Sequence, residues 1–484
     1  MKKLHLKDLF VLERAPAGGY RELIRVATPL VMSTASYTIM HFIDRVMLTR
    51  YSDITAAASS GGGILSFTFL SFFLGVTGYT NTFVAQYHGA RNKRMVGVSV
   101  WHGLYLAAIS GLICFLCRPA GVAVLRWIGH EPAVLEAEIL YFDIMVAWAF
   151  VPLVNSALSS FFSGRGDTWT PLWVNVSTAC ANIALNYALI FGRWGFPELG
   201  IAGAAYATVA ASMAGMAAFA VLVTRPRWRR EYAVLSHWRF RWPSFSRLIR
   251  FGGPSGLSFG LDIAAFSLFV LLVGRLGKEA LIASNVTLSI NSLAFLPMLG
   301  VSMATSILVG QHIGAANPAA AVDTTRRGVI LAVGYMTLMG VLFALFPALF
   351  FAPFRGEGIS DELFSQVYHY GRWLLVMLAL LGVFDGIQTT VSGALKGAGD
   401  TWFPMLVHAA VSWLMFVPGV YVMVSVLHLG IYWAWAWFVL YVLVLAIVFP
   451  VRFRSGRWKL IEIKETMPVQ PPVPLVEEAE PHEV

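Results

Sequence analysis

The chain has 484 residues, of which 57% are hydrophobic and 13% charged, with a mean hydropathy of +0.69. A water-soluble domain carries roughly a quarter of its residues as charged side chains, so this composition excludes a soluble globular protein and points to lipid as the solvent. The net charge of +9 comes from 35 Lys and Arg against 26 Asp and Glu. In so apolar a chain that excess belongs to cytoplasmic loops and not to a nucleic-acid partner.

Residues 1–19 read as a basic cytoplasmic arm, without the short apolar region of a cleaved signal peptide. Apolar runs able to cross a core of about 30 Å then predict twelve helices. They cover 22–49, 57–87, 98–117, 134–162, 171–191 and 200–223, then 250–274, 280–311, 325–348, 364–394, 404–427 and 430–451. Turn-forming groups such as Gly89-Ala90-Arg91-Asn92, Arg118-Pro119 and Asn317-Pro318 separate them. Twelve spans leave both termini on one side. Most basic residues lie in the loops of that side, above all Arg225, Arg227, Arg229, Arg230, Arg239, Arg241, Arg247 and Arg250, so both termini are expected in the cytoplasm. Residues 225–245 form a basic linker, and 456–484, rich in Pro and Glu toward the end, read as a disordered cytoplasmic tail. Cys114, Cys117 and Cys180 sit in apolar runs and imply no disulfide.

The chain is internally duplicated. Gln86-Tyr87-His88-Gly89-Ala90-Arg91-Asn92 returns as Gln311-His312-Ile313-Gly314-Ala315-Ala316-Asn317, and Pro29 returns as Pro254, both shifted by 225 residues (311 − 86 and 254 − 29). Gly166-Asp167-Thr168-Trp169-Thr170-Pro171 returns as Gly399-Asp400-Thr401-Trp402-Phe403-Pro404, shifted by 233 (399 − 166). The expected fold is therefore an all-α polytopic membrane protein of twelve transmembrane helices in two six-helix pseudo-symmetric lobes, 20–224 and 246–455. Six spans per lobe give the halves the same sense in the membrane, a transporter plan with the substrate site between them.

A carboxylate within a span costs a few kcal/mol and demands a partner or a task. Asp44, Asp262 and Asp385 stand well inside apolar runs. Gln388 and Thr389 follow Asp385 at i+3 and i+4, on its own helical face. Asp143, near Glu136 and Glu138 at a helix start, reads as interfacial. Asn182 and Asn186 stack on one face of the fifth span, with Thr208 in the sixth. Amide and hydroxyl oxygens beside a carboxylate suit a hard monovalent cation, and the same amides also suit plain helix–helix adhesion. Arg45 adjoins Asp44, but neighbouring helical positions do not face one another. His102 and His408 read as packed or hydrogen-bonded residues.

With Asp44 ahead of Val46-Met47, the paired Gln-x-x-Gly-Ala-x-Asn loops and Pro197-Glu198-Leu199-Gly200-Ile201-Ala202-Gly203, the sequence resembles the multidrug and toxic compound extrusion (MATE) family, NorM-type branch, from about Arg21 to Phe453. The resemblance implies an efflux antiporter of the bacterial inner membrane, a monomer and not an enzyme, without a cofactor beyond its coupling ion. It would export cationic amphiphilic small molecules in exchange for Na⁺ or H⁺. It implies an N-lobe cation site at Asp44, Asn182, Asn186 and Thr208, and a C-lobe acidic pair at Asp262 and Asp385, either able to hold Na⁺. This chain has Asp262 where that branch often has Glu, Asn186 where the DinF-type branch tends to have Asp, and Arg45 where a small polar residue is common. Two rivals are a lipid-linked oligosaccharide flippase, which would need buried bases for an anionic pyrophosphate, and an intramembrane glycosyl or acyl transferase, which would need a catalytic constellation at one membrane face.

Overall fold

The computed structural model describes residues 17–354 and 361–463, which form helices and short turns without any strand. The first half holds α1 (Tyr20–Tyr51), α2 (Asp53–Gly78), α3 (Thr80–Gly89), α4 (Lys93–Leu116), α5 (Arg118–Ile128), α6 (Pro132–Ala147), α7 (Phe150–Ser163), α8 (Trp169–Phe191) and α9 (Gly200–Val223). After a short α10 (Pro226–Tyr232), the second half holds α11 (Trp242–Val273), α12 (Lys278–Gly314), α13 (Pro318–Leu345), α14 (Pro347–Phe351) and α15 (Asp361–Ala398). It ends with α16 (Trp402–Ala410), α17 (Val417–Tyr421) and α18 (Ile431–Arg454). Among the described residues eleven helical runs are long and apolar enough to cross a membrane, α2 continuing into α3 and α16 into α17. The twelfth span is the pair α6 and α7, bent by 41°. Pro152 sits just past the bend and has no N–H to give the Trp148 carbonyl four residues back, so the helix breaks there. The expected all-helical, two-lobed membrane architecture is the observed one.

Most boundaries move outward from the apolar runs because capping residues, not hydropathy, end the helices. Asn92 accepts from the Met95 N–H at 3.1 Å and Asn317 from the Ala320 N–H at 3.1 Å, so α4 and α13 begin at Lys93 and Pro318. The expected tail needs correction. Residues 456–463 are packed, with Trp458 and Ile463 fully buried. Trp458 stacks on Phe453 with ring centres 4.8 Å apart, and the Ile463 carbonyl accepts from Arg247 at 3.2 Å. A fully buried Trp and Ile outweigh the surrounding polarity. Residues 464–484, and 1–16 of the N-terminal arm, lie outside the described residues. All three cysteines are free thiols. Asp143 is gripped in a fork by Arg118, and Glu138, fully buried, meets His130 Nδ1 at 2.9 Å.

The duplicated loops explain how the lobes meet. Gln86 and Gln311 begin the last turn of their helices, and Arg91 and Ala316 take the same left-handed conformation (φ 55° in each) before the capping asparagine. The two turns cross at backbone contact: a Cβ on Gly89 would fall 1.9 Å from the Gln311 carbonyl oxygen, and one on Gly314 2.0 Å from that of Gln86. Only glycine permits this approach. Each glutamine then reaches into the other lobe. Gln86 Nε2 donates to the Gly397 carbonyl at 3.0 Å, and Gln311 Nε2 to the Gly164 carbonyl at 2.8 Å. Gly164 and Gly397 are themselves 233 residues apart, the offset of the second repeat, so the motifs interlock reciprocally. Tyr79 adds a bond to the Lys396 carbonyl at 2.9 Å, and Glu22 of α1 lies 3.6 Å from His312 of α12. These contacts close the end of the bundle that carries the 89–92 and 314–317 turns.

Replacing both Gln86 and Gln311 by Ala removes two buried hydrogen bonds, each worth about 1 kcal/mol net. Spin-label distances between the 89–92 turn and the 396–400 turn should broaden toward longer values in that double variant. An unchanged distribution would show that the glutamines do not hold the lobes together.

Candidate functional site

The N-lobe residues singled out from sequence come together. Asp44 lies two turns before the end of α1, half-buried, while Asn182 and Asn186 on α8 are almost wholly enclosed. Asn186 Nδ2 donates to the Asp44 carboxylate and, at 3.1 Å, to Asn182 Oδ1. Asn182 Nδ2 in turn donates to Thr208 Oγ1 of α9 at 3.2 Å, and Thr208 donates to the Ala204 carbonyl at 3.0 Å. This chain of donors leaves one acceptor over: Asn186 Oδ1 is buried and has no hydrogen-bond partner. A buried, unsatisfied amide oxygen beside a carboxylate is the donor set a hard cation takes. The amides also tie α1, α8 and α9 together, so adhesion and cation binding use the same atoms. Arg45 points outward and is exposed.

The C-lobe pair is equally specific. Asp385 on α15 is 6% exposed, and its Oδ1 accepts from Gln388 Nε2 at 2.7 Å and Thr389 Oγ1 at 3.1 Å, as the helical spacing predicts. Asp262 on α11 is half-buried. Its neighbour is the residue that sequence reasoning passed over. Asp262 Oδ1 lies 2.9 Å from Nδ1 of buried His408 on α16, off the axis of a hydrogen bond, so neither atom is satisfied. Ser412 and Tyr441 share a buried hydrogen bond at 2.9 Å on the same side. His102, by contrast, is spent on structure, bonding the Val98 carbonyl at 2.7 Å and the Arg241 N–H at 3.0 Å.

The repeat offsets relate the Asp262–His408 contact to one in the N-lobe. Stepping Asp262 back by 225 lands on Tyr37, and stepping His408 back by 233 lands on Asn175. Tyr37 and Asn175 meet as well, the Tyr hydroxyl donating to Asn175 Oδ1 at 3.4 Å. The same two positions touch in both lobes, neutral in one and ionisable in the other. Conversely, the C-lobe counterparts of Asp44, Asn182 and Asn186 are Phe269, Met415 and Gly419. The duplication has thus diverged into two sites of different position and chemistry.

The family model of MatE matches twice, over residues 29–188 and 254–422, again 225 residues apart at their starts. The chain belongs to the MatE family. A curated relative, the probable multidrug resistance protein NorM of Mesorhizobium japonicum, is 32% identical over 416 residues, covering 84% of this chain and 88% of that protein. The multidrug resistance protein NorM of Burkholderia vietnamiensis is 30% identical over 390 residues, covering 79% and 82%. Among solved structures, the outward-facing conformation of a multidrug resistance MATE family transporter of the MOP superfamily superposes with a TM-score of 0.83 at 20% identity, covering 94% of this chain and 100% of that one. A MOP superfamily transporter from Pyrococcus furiosus, described as having reversed polarity of its binding pocket, gives 0.83 at 21% identity, covering 92% and 97%. Such identities establish the shared fold, and the family model makes this an integral membrane transporter of the MatE family.

The Asp262–His408 contact should register in a double-mutant cycle. Asp262→Asn, His408→Leu and the double variant, compared by thermal unfolding in detergent, should show a coupling of about 1 kcal/mol. Additive effects would mean that the two side chains merely lie side by side.

Proposed function

We propose that this chain is a cation-coupled multidrug efflux antiporter that exports organic cations in exchange for Na⁺ or H⁺ by alternating access between its lobes. One observation carries the reading. The carboxylates that bind the fold together, Asp143 and Asp400, are held by Arg118 and Arg452. Asp44 and Asp385 are held by amides and a hydroxyl, Asp262 lies beside an imidazole, and none of the three makes an arginine contact among the described residues. Negative charge kept in an apolar bundle without a resident counter-cation suits a visiting one.

Antiport follows from competition. An inorganic cation and an organic cation that seek the same negative charge oppose each other, and each lowers the affinity for the other by an equal factor. Oxygen donors around Asp44 suit Na⁺. His408 beside Asp262 suits a proton. Aromatic and methionine side chains between the lobes would give a wall tolerant of varied amphiphilic cations. The NorM relatives' names support drugs as the cargo. With both termini in the cytoplasm, the end closed by Gln86 and Gln311 is the cytoplasmic one. The functional unit is the monomer, since each monomer holds both lobes and both sites, and the membrane is the bacterial inner membrane. The acidic character of the span carboxylates disfavours the flippase, which needs bases for an anionic pyrophosphate. The commitment of His102 to backbone groups weakens the transferase.

Purified protein in proteoliposomes should expel ethidium or norfloxacin when a Na⁺ gradient or a pH gradient is imposed. Asp385→Asn and Asp262→Asn should each lower gradient-driven efflux about tenfold or more, the size of a typical coupling free energy. Unimpaired transport in both variants would remove the acidic pair from the mechanism, and no movement of any organic cation under either gradient would favour the flippase.

A further inference from the structure

The connection between the lobes is a built surface. Residues 225–250 hold eight arginines and a single acid, Glu231, which is committed to Lys93 at 3.2 Å. Arg225, Arg227, Arg229, Arg230, Arg239 and Arg250 are exposed and make no ion pair among the described residues. Among them stand three exposed aromatic rings, Trp238 at 58%, Phe240 at 51% and Trp242 at 65%. A flexible linker would not present these groups in a fixed order, but this segment is fastened along α4. Glu231 pairs with Lys93, the first residue of that helix. The Val234 carbonyl accepts from Trp101 Nε1 at 2.6 Å, His102 Nε2 accepts from the Arg241 N–H, and the Trp238 carbonyl accepts from the Tyr105 hydroxyl. At its upper end Arg165 is stacked 4.1 Å from Trp228 and 4.9 Å from Tyr232, binding α10 to the loop that receives Gln311.

These anchors fix the order of the groups along α4. The arginines of α10 and its flanks lie at the Lys93 end, and the aromatic rings lie alongside the third and fourth turns. Arg241, placed among the rings, turns its guanidinium back to Met95 Sδ at 3.6 Å, toward the cationic end. Exposed arginines beside exposed Trp and Phe rings at the start of an apolar span, with Arg239 standing between Trp238 and Phe240, are the composition of a membrane interface.

We propose that the 225–250 segment is an anionic-phospholipid docking surface, with its unpaired arginines on lipid phosphates and Trp238, Phe240 and Trp242 set at the headgroup–acyl boundary of the same leaflet. Charge complementarity selects the occupant. Exposed guanidiniums form bidentate pairs with phosphate, and a zwitterionic headgroup offers no net charge to offset theirs. The surface joins the two lobes while clamped to one of them, so bound lipid holds the N-lobe side of the connection at a fixed height in the membrane.

The test is equilibrium binding of fluorescent phosphatidylglycerol, and separately phosphatidylcholine, to the full-length protein in neutral detergent. Wild type should prefer phosphatidylglycerol, the preference falling with added salt. Converting Arg225, Arg227, Arg229, Arg230 and Arg239 to Gln should weaken phosphatidylglycerol binding about fivefold for each of the first charges removed, while the matching Arg→Lys set retains most of it. Trp238→Ala with Trp242→Ala should weaken both lipids alike. Equal affinity of wild type for the two lipids, or an Arg→Gln set that binds as wild type does, overturns the proposal. Lipid binding is read without transport, so failure here leaves the efflux reading untouched, and failure of efflux leaves this one untouched.

Discussion

The structure depends on how a negative charge is kept in a bundle that offers it no permanent cation. Asp44, Asp262 and Asp385 would be costly in hydrocarbon if left bare. Asp44 is given Asn186 and Asp385 is given Gln388 and Thr389 as neutral donors, while Asp262 lies beside His408 without a formed hydrogen bond. Such donors lower the penalty without cancelling the charge. An arginine in the same place would satisfy the carboxylate permanently, as Arg118 does for Asp143 and Arg452 for Asp400, and would leave nothing for a travelling ion. The difference between a structural acid and a functional one is here the identity of its neighbour.

The duplication supplies two matched lobes that meet at one end. Its most similar segments are not in the sites but at the closed end, where Gln86 and Gln311 exchange bonds with Gly397 and Gly164 across glycine crossings. Losing either glutamine leaves the carbonyl it reaches, Gly397 or Gly164, without that donor. The sites have separated, with oxygen donors around Asp44 and an ionisable cluster around Asp262 and Asp385. On the proposed antiport reading, the two sites serve two kinds of cation.

Much of this was legible in the residues. Apolar run lengths gave the twelve spans, and the 225- and 233-residue offsets gave the two lobes. The i+3 and i+4 positions of Gln388 and Thr389 predicted the bonds to Asp385, and the resemblance brought Asp44, Asn182, Asn186 and Thr208 to one place. What escaped depended on contacts far apart in sequence. His408 looks like an ordinary span histidine until α16 is laid against α11. The role of the repeated glutamines lies in a crossing of helices that no local pattern encodes. Trp458 and Ile463 were lost because a composition window weighs the polar neighbours of two side chains whose own burial decides the outcome.

The most direct measurement of the central claim is the equilibrium affinity of a fluorescent organic cation for the purified protein, titrated at a series of Na⁺ concentrations and pH values. Competition for unpaired carboxylates predicts that affinity falls as Na⁺ or H⁺ rises, and that the dependence flattens in Asp44→Asn and Asp385→Asn. An affinity indifferent to both ions would contradict the account, because charges that no inorganic cation can claim cannot couple its gradient to the drug.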